Sequence, residues 1–173
     1  MTEGLDRPPW YFADFDLKIV DPRLVRIHSH WNVLRDGDAL PAAGRFDPLD
    51  LVPHLGDLFI VRVEPDPAGG EPVLRYTLIG TRLVDALGRD VTGQRVADTF
   101  PQDHPVMAVY RCLLRQRIAV RTHGRLEWMD KAHRTFESIL LPLAGADGSV
   151  VKIVGAAVYG RYDGSVVAGR GAA

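Results

Sequence analysis

The segment Val73–Phe100, VLRYTLIGTRLVDALGRDVTGQRVADTF, limits most tightly what this chain can fold into. Val73, Leu74, Tyr76, Thr77, Leu78 and Ile79 are β-formers or bulky apolar residues in one run, which predicts a strand broken at Gly80. Thr81 is placed to cap a short helix that keeps Leu83, Val84 and Leu87 on one side. Gly88 is positioned to end that helix, and Gly93 lets the chain turn before Val96 and Phe100 re-enter a core. Strand, helix and turn in such a short stretch form a shell suited to closing over a cavity.

The flanking sequence supplies the rest of one domain. Leu58–Glu64 and Val73–Thr81, separated by PDPAGGEP, read as two strands of a hairpin with a longer loop. Upstream, Asp21-Pro22 starts a helix running to Asp36, with Leu24, Ile27, Trp31 and Leu34 on one face and Gly37 at its end. Phe46–Leu51 suggests a capped helical turn. Downstream, Val106, Val109, Tyr110, Leu113 and Leu114 define an amphipathic helix to about Arg117. Three strands close the chain at Val120–Trp128, His133–Leu143 and Val150–Tyr159, the last two joined through Asp147-Gly148. Gly155, Ala156 and Ala157 leave room for something bulky across the sheet. The expected fold class is α+β, a five-stranded antiparallel sheet with short helices on one face. Leu58–Val61 is apolar on both parities, so the outer face should be covered as well, by the 21–36 helix or by a partner chain. Residues 1–20 form an N-terminal extension whose Trp10, Tyr11, Phe12 and Phe15 should pack on the domain's own surface or on a second copy. Residues 161–173 read as a flexible tail.

A formal net charge of −1 gives no broad positive field, which argues against generic nucleic-acid binding. One cysteine, Cys112, excludes an internal disulfide and suits a reducing compartment. No apolar run is long enough to span a bilayer, and a cytoplasmic location is expected. His28 and His30 stand two apart on a helix and so point in nearly opposite directions, a poor arrangement for one metal ion. Parity puts Arg121, His123 and Arg125 on the wet side of their strand. No hydrolase, zinc-protease or phosphate-loop motif is present. Glu137 alternates with Ile139 and Leu141; it is expected to pair with Arg or stand at a rim. Turned inward against His133, it would instead be half of an acid–base pair in a small cone-shaped α+β enzyme.

Certain motifs resemble those of a bacterial, often single-domain, subgroup of PAS domains. These are Trp31, Leu34 and Arg35, then Leu40-Pro41, then Phe46-Asp47-Pro48. They continue as Arg75-Tyr76, Gly80-Thr81, and Leu87-Gly88-Arg89-Asp90-Val91-Thr92-Gly93, with Leu141-Pro142-Leu143 and Asp147-Gly148 near the end. The resemblance covers about residues 25–160. It implies a sensory or protein-interaction module rather than a catalyst, dimerising through flanking helices and the outer face of the sheet. With no output domain legible, the signal would leave through an unidentified partner protein. Taking Arg62, Arg75, Glu127 and Lys152 as outward, the implied cavity is lined by Phe59, Val61, Tyr76, Leu78, Leu83, Leu87, Tyr110, Leu114, Trp128 and Ile153. Its ligand would be small and apolar or aromatic. The cofactor stays open: haem would need His104 or His133 as an axial ligand. The photoreactive flavin branch needs an Asn-Cys-Arg-Phe motif that Tyr110-Arg111-Cys112-Leu113 does not match.

Overall fold

A computed structural model describes residues 10–161. Its strands are β1 (Tyr11–Asp14), β2 (Leu58–Glu64), β3 (Val73–Ile79), β4 (Val120–Leu126), β5 (Lys131–Ala144) and β6 (Val150–Arg161). Its α-helices are α1 (Pro22–Val33), α2 (Thr81–Leu87) and α3 (Val106–Gln116), with 3-10 turns between them. All strand pairs are antiparallel, in the order β1-β4-β5-β6-β2-β3. The first nine residues of the expected extension, and the expected tail beyond Arg161, lie outside the described residues.

The sheet is buried on both faces, which explains why its central strands do not alternate cleanly. On the outer face Leu24, Ile27 and Trp31 of α1 pack against Leu58, Ile60, Ile139, Leu141, Val154 and Ala156. Trp31 Nε1 also donates to the Pro142 carbonyl at 3.0 Å, fixing the helix across β5. Each buried Leu, Ile or Val among them contributes about 1.5–3 kcal/mol. On the inner face Val61, Tyr76, Tyr110, Leu113, Val120, Leu140 and Ile153 form a second cluster with α3 and the Val91–Val96 turn. The helix signals are placed as read at Asp21, whose carboxylate accepts from Arg23 N at 2.9 Å, and at Pro22. They are also placed as read at Gly88, the left-handed C-cap of α2 with φ 76°. Thr81 is the first residue of α2, with Gly80 in the cap position, and α1 stops at Val33 rather than Asp36.

The sheet has six strands, not five, because part of the N-terminal extension joins it. β1 pairs with β4, Tyr11 opposite Gly124, and Arg125 N donates to the Trp10 carbonyl at 2.8 Å. Gly124 permits this: its φ is +152°, and a Cβ there would stand 2.0 Å from that carbonyl oxygen. A four-residue edge strand is too short to be read by alternation. Its arrival also changes the neighbouring face. His123 is stacked on Phe12 at 5.3 Å rather than solvated, and Arg121 is buried rather than wet.

One register shift redirects a side chain. Between β2 and β3, Ile60 faces Leu78 but Val61 faces Tyr76, so Thr77 is an extra residue in β3. Its hydroxyl donates to the Ile60 carbonyl at 3.3 Å. Strict alternation from Tyr76 would send Leu78 inward. The bulge sends Ile79 inward instead, and Leu78 packs on the outer cluster.

Candidate ligand cavity

The concave face of the sheet, α2, α3 and the turn Glu127–Met129 line a cavity of about 90 Å³. Phe59, Tyr76, Leu83, Leu87, Tyr110 and Trp128, expected on its wall, are there. Four other expected residues are not. Val61 and Ile153 lie in the inner cluster without reaching the cavity, Leu114 packs on the edge of that cluster, and Leu78 is turned away by the bulge. The wall also includes Tyr11, Phe100, His104, Thr122, Leu126, Phe136, Ser138, Ala157 and Tyr159. Period-two alternation on β4, β5 and β6 could have found Thr122 and Leu126, Phe136 and Ser138, and Ala157 and Tyr159. Tyr11 and His104 come from irregular or very short segments and left no such trace.

The wall is greasy but not featureless. No Asp, Glu, Lys or Arg lines it among the described residues. Burial pushes the Tyr76 phenol up to about 12, against a hydrogen bond with Thr99 that lowers it. Burial likewise raises Tyr110 and Tyr159 well above the ordinary tyrosine range. These shifts report one environment, in which the hydroxyls stay neutral and a negative charge is disfavoured.

His104 is the most specific polar feature. It is 6% exposed, and Val106 N donates to its Nδ1 at 3.1 Å. With Nδ1 accepting, the neutral ring carries its proton on Nε2. That nitrogen is buried and has no hydrogen-bond partner among the described residues. Burial pulls the imidazole pKa down to about 4, with Asp103 opposing. Phe100, Tyr11, Trp128 and Trp10 surround the ring at centroid distances of 4.7, 5.1, 5.3 and 5.4 Å.

Neither cofactor left open fits these residues. Haem ligation by His104 through Nε2 needs a lone pair where this tautomer has a proton, and 90 Å³ is far below the roughly 300–1,000 Å³ of cofactor-sized pockets. His133 is exposed on β5. Cys112, the thiol a flavin adduct would need, lines a separate, larger pocket of about 780 Å³ beside α3, not the cavity. Among the described residues no three His, Cys, Asp or Glu side chains are grouped to hold a metal. Glu137 is on the outer face, bonded to Arg121 and to the N–H groups of Val20 and Asp21. It takes the arginine pairing and does not face His133 from the cavity.

Comparison with known proteins gives one family and a set of distant structural likenesses, including these two. The family model described as "PAS domain" matches residues 20–158. An RNA-binding Light-Oxygen-Voltage receptor is similar at 18% identity and TM-score 0.46, over 68% of this chain and 35% of that one. This chain therefore spans about a third of that protein's length. The blue-light photoreceptor Aureochrome1 LOV, in its light state, is similar at 13% identity and TM-score 0.43, over 66% of this chain and 88% of that one. No curated protein matches. The family match runs from the entry into α1 almost to the end of β6, and it takes in both faces of the sheet and nearly all of the cavity wall; the chain belongs to the PAS domain family.

Proposed function

We propose that this PAS domain is a sensory module whose state is set by a small apolar or aromatic molecule in the inner cavity. The module passes that state to a signalling partner, working as a homodimer in the cytoplasm of a bacterium. The observation that carries the reading is a charge-free, aromatic-lined cavity on the concave face of the sheet, between two well-packed apolar clusters. Empty space of this kind costs stability, because its lining forfeits dispersion contacts that a ligand would restore. Dimerisation is supported by Phe12 and Phe15, both exposed at or beside edge strand β1.

Native mass spectrometry of freshly isolated protein tests both parts together. The expected result is a dimer retaining a small organic molecule, or an apo dimer that takes up single-ring aromatics and melts at a higher temperature with them. A monomer that binds none of them, with no change in melting, would refute the reading.

A further inference from the structure

The unpartnered nitrogen of His104 narrows the ligand beyond "small and apolar". We infer that the cavity selects a neutral molecule of single-ring size or smaller that carries a hydrogen-bond acceptor, held by the His104 Nε2–H. The inference rests on the reading of this cavity as a ligand site.

Three observations converge on it. The first is the donor. Val106 N–H occupies Nδ1, leaving Nε2 to donate, and no protein acceptor meets it among the described residues. Buried donors are seldom left unmade, since the group has lost water and gained nothing. The second is the surroundings. Trp10, Tyr11, Phe100 and Trp128 ring the imidazole, and none of them places a carbonyl or carboxylate against Nε2. His104 lines both this cavity and the larger pocket beside α3, and the acceptor is assigned to the cavity side, where the wall carries no charge. The third is charge and size. With no ionised side chain on the wall, a carboxylate or an ammonium would enter stripped of water and without a counter-charge. A volume of about 90 Å³ is well below that of the roughly 150 Å³ engineered cavity that admits benzene, so the wall must yield to take even one ring and nothing larger enters.

The test titrates the full chain with phenol, benzene and benzoate, followed by NMR, with nitrogen-15 histidine spectra reporting His104. Phenol supplies the acceptor, benzene lacks it, and benzoate adds charge. Phenol should bind about tenfold more tightly than benzene, the worth of one net hydrogen bond. Benzoate should bind worst. The Nε2–H proton should move downfield with phenol and not with benzene. In His104→Phe, which keeps a ring and removes the donor, the preference for phenol should vanish while benzene still binds. Equal binding of phenol and benzene to the native chain would overturn the inference. So would a preference for phenol that survives in folded His104→Phe, or an Nε2–H signal unmoved by phenol. If neither neutral ring binds the native chain, the cavity is not a ligand site and the broader reading falls as well.

Discussion

Arg121 Nε donates to Glu137 Oε1 at 2.6 Å on the face of the sheet turned away from the cavity. The same carboxylate accepts the N–H groups of Val20 and Asp21 at 2.8 Å each, and Arg121 Nη1 reaches Asp14 at 2.7 Å. Two side chains thus tie β1, β4, β5 and the start of α1 together. Both are only 11% exposed at the side chain, so the pair is dry enough to be costly when broken from one side.

Glu137→Gln should therefore destabilise the domain by about 2 kcal/mol, since it removes the charge from three hydrogen bonds at once. Asp14→Asn, at a wetter site, should cost under about 1 kcal/mol. Urea unfolding with a constant m-value reads both. A Glu137→Gln midpoint indistinguishable from the native one would show that the bonds do not hold the entry of α1.

Gly155 and Phe59 set the size of the cavity. They face each other across β2 and β6, and a Cβ on Gly155 would stand 2.0 Å from Phe59 Cζ. The bulky group for which the Gly-Ala-Ala run leaves room is thus the ring of Phe59. Gly155→Ala must push that ring off the sheet and into the cavity it lines. The expected cost is about 1–3 kcal/mol, with single-ring binding lost. Gly155→Ala combined with Phe59→Leu should recover much of both. A single variant that binds as the native chain does would mean the ring has another place to go.

Much of this was legible in the chain, for reasons tied to particular residues. Asp21-Pro22, Gly88 and Asp147-Gly148 signal through local backbone chemistry that tertiary context seldom overrides, and each sits where that chemistry placed it. The inward positions on regular strands follow from period two. What stayed hidden depends on non-local or irregular geometry. One added residue at Thr77 reverses Leu78, and no composition signals a bulge. β1 forms only because Gly124, more than a hundred residues later, admits the Trp10 carbonyl. His104 is followed by Pro105 in a turn that no periodicity describes. Its role appears only when its ring stands among Tyr11, Phe100 and Trp128.

Asp57 links the cavity wall to the outer helix. It is 2% exposed, with Arg23 of α1 at 3.6 Å and Arg82 of α2 at 3.5 Å from Oδ1. Leu83 and Leu87 of α2 stand on the cavity wall, so displacement of α2 by a ligand would be felt at α1 through this carboxylate. Arg82→Met keeps the stem and removes the charge. Because Arg82 is half exposed, the expected loss is only about 1 kcal/mol. The sharper readout is the cycle with Asp57→Asn, where the two changes should fall short of additivity by about 0.5 kcal/mol or more. Strict additivity would mean that Asp57 is held by Arg23 alone.

Acid should weaken the domain through its histidines before it reaches its carboxylates. His104 titrates near pH 4 when folded, because burial disfavours its charged form, against about 6.5 when unfolded. Between those values the unfolded chain binds a proton that the folded chain does not, so stability rises with pH across the window and is lost as pH falls from 6.5 toward 4. Full protonation of the unfolded side would remove roughly 3 kcal/mol. His28 and His123, lowered chiefly by burial and then by Arg35 and Arg121 respectively, act in the same direction. Asp21 and Asp147, lowered chiefly by hydrogen bonds to Arg23 and Ser149, take effect only as pH nears the ordinary carboxylate range. Urea midpoints at pH 7, 6 and 5 should therefore decline for the native chain and decline much less for His104→Phe. Parallel declines in the two proteins would place the titrating group elsewhere and leave His104 protonated, or solvated, in the folded state.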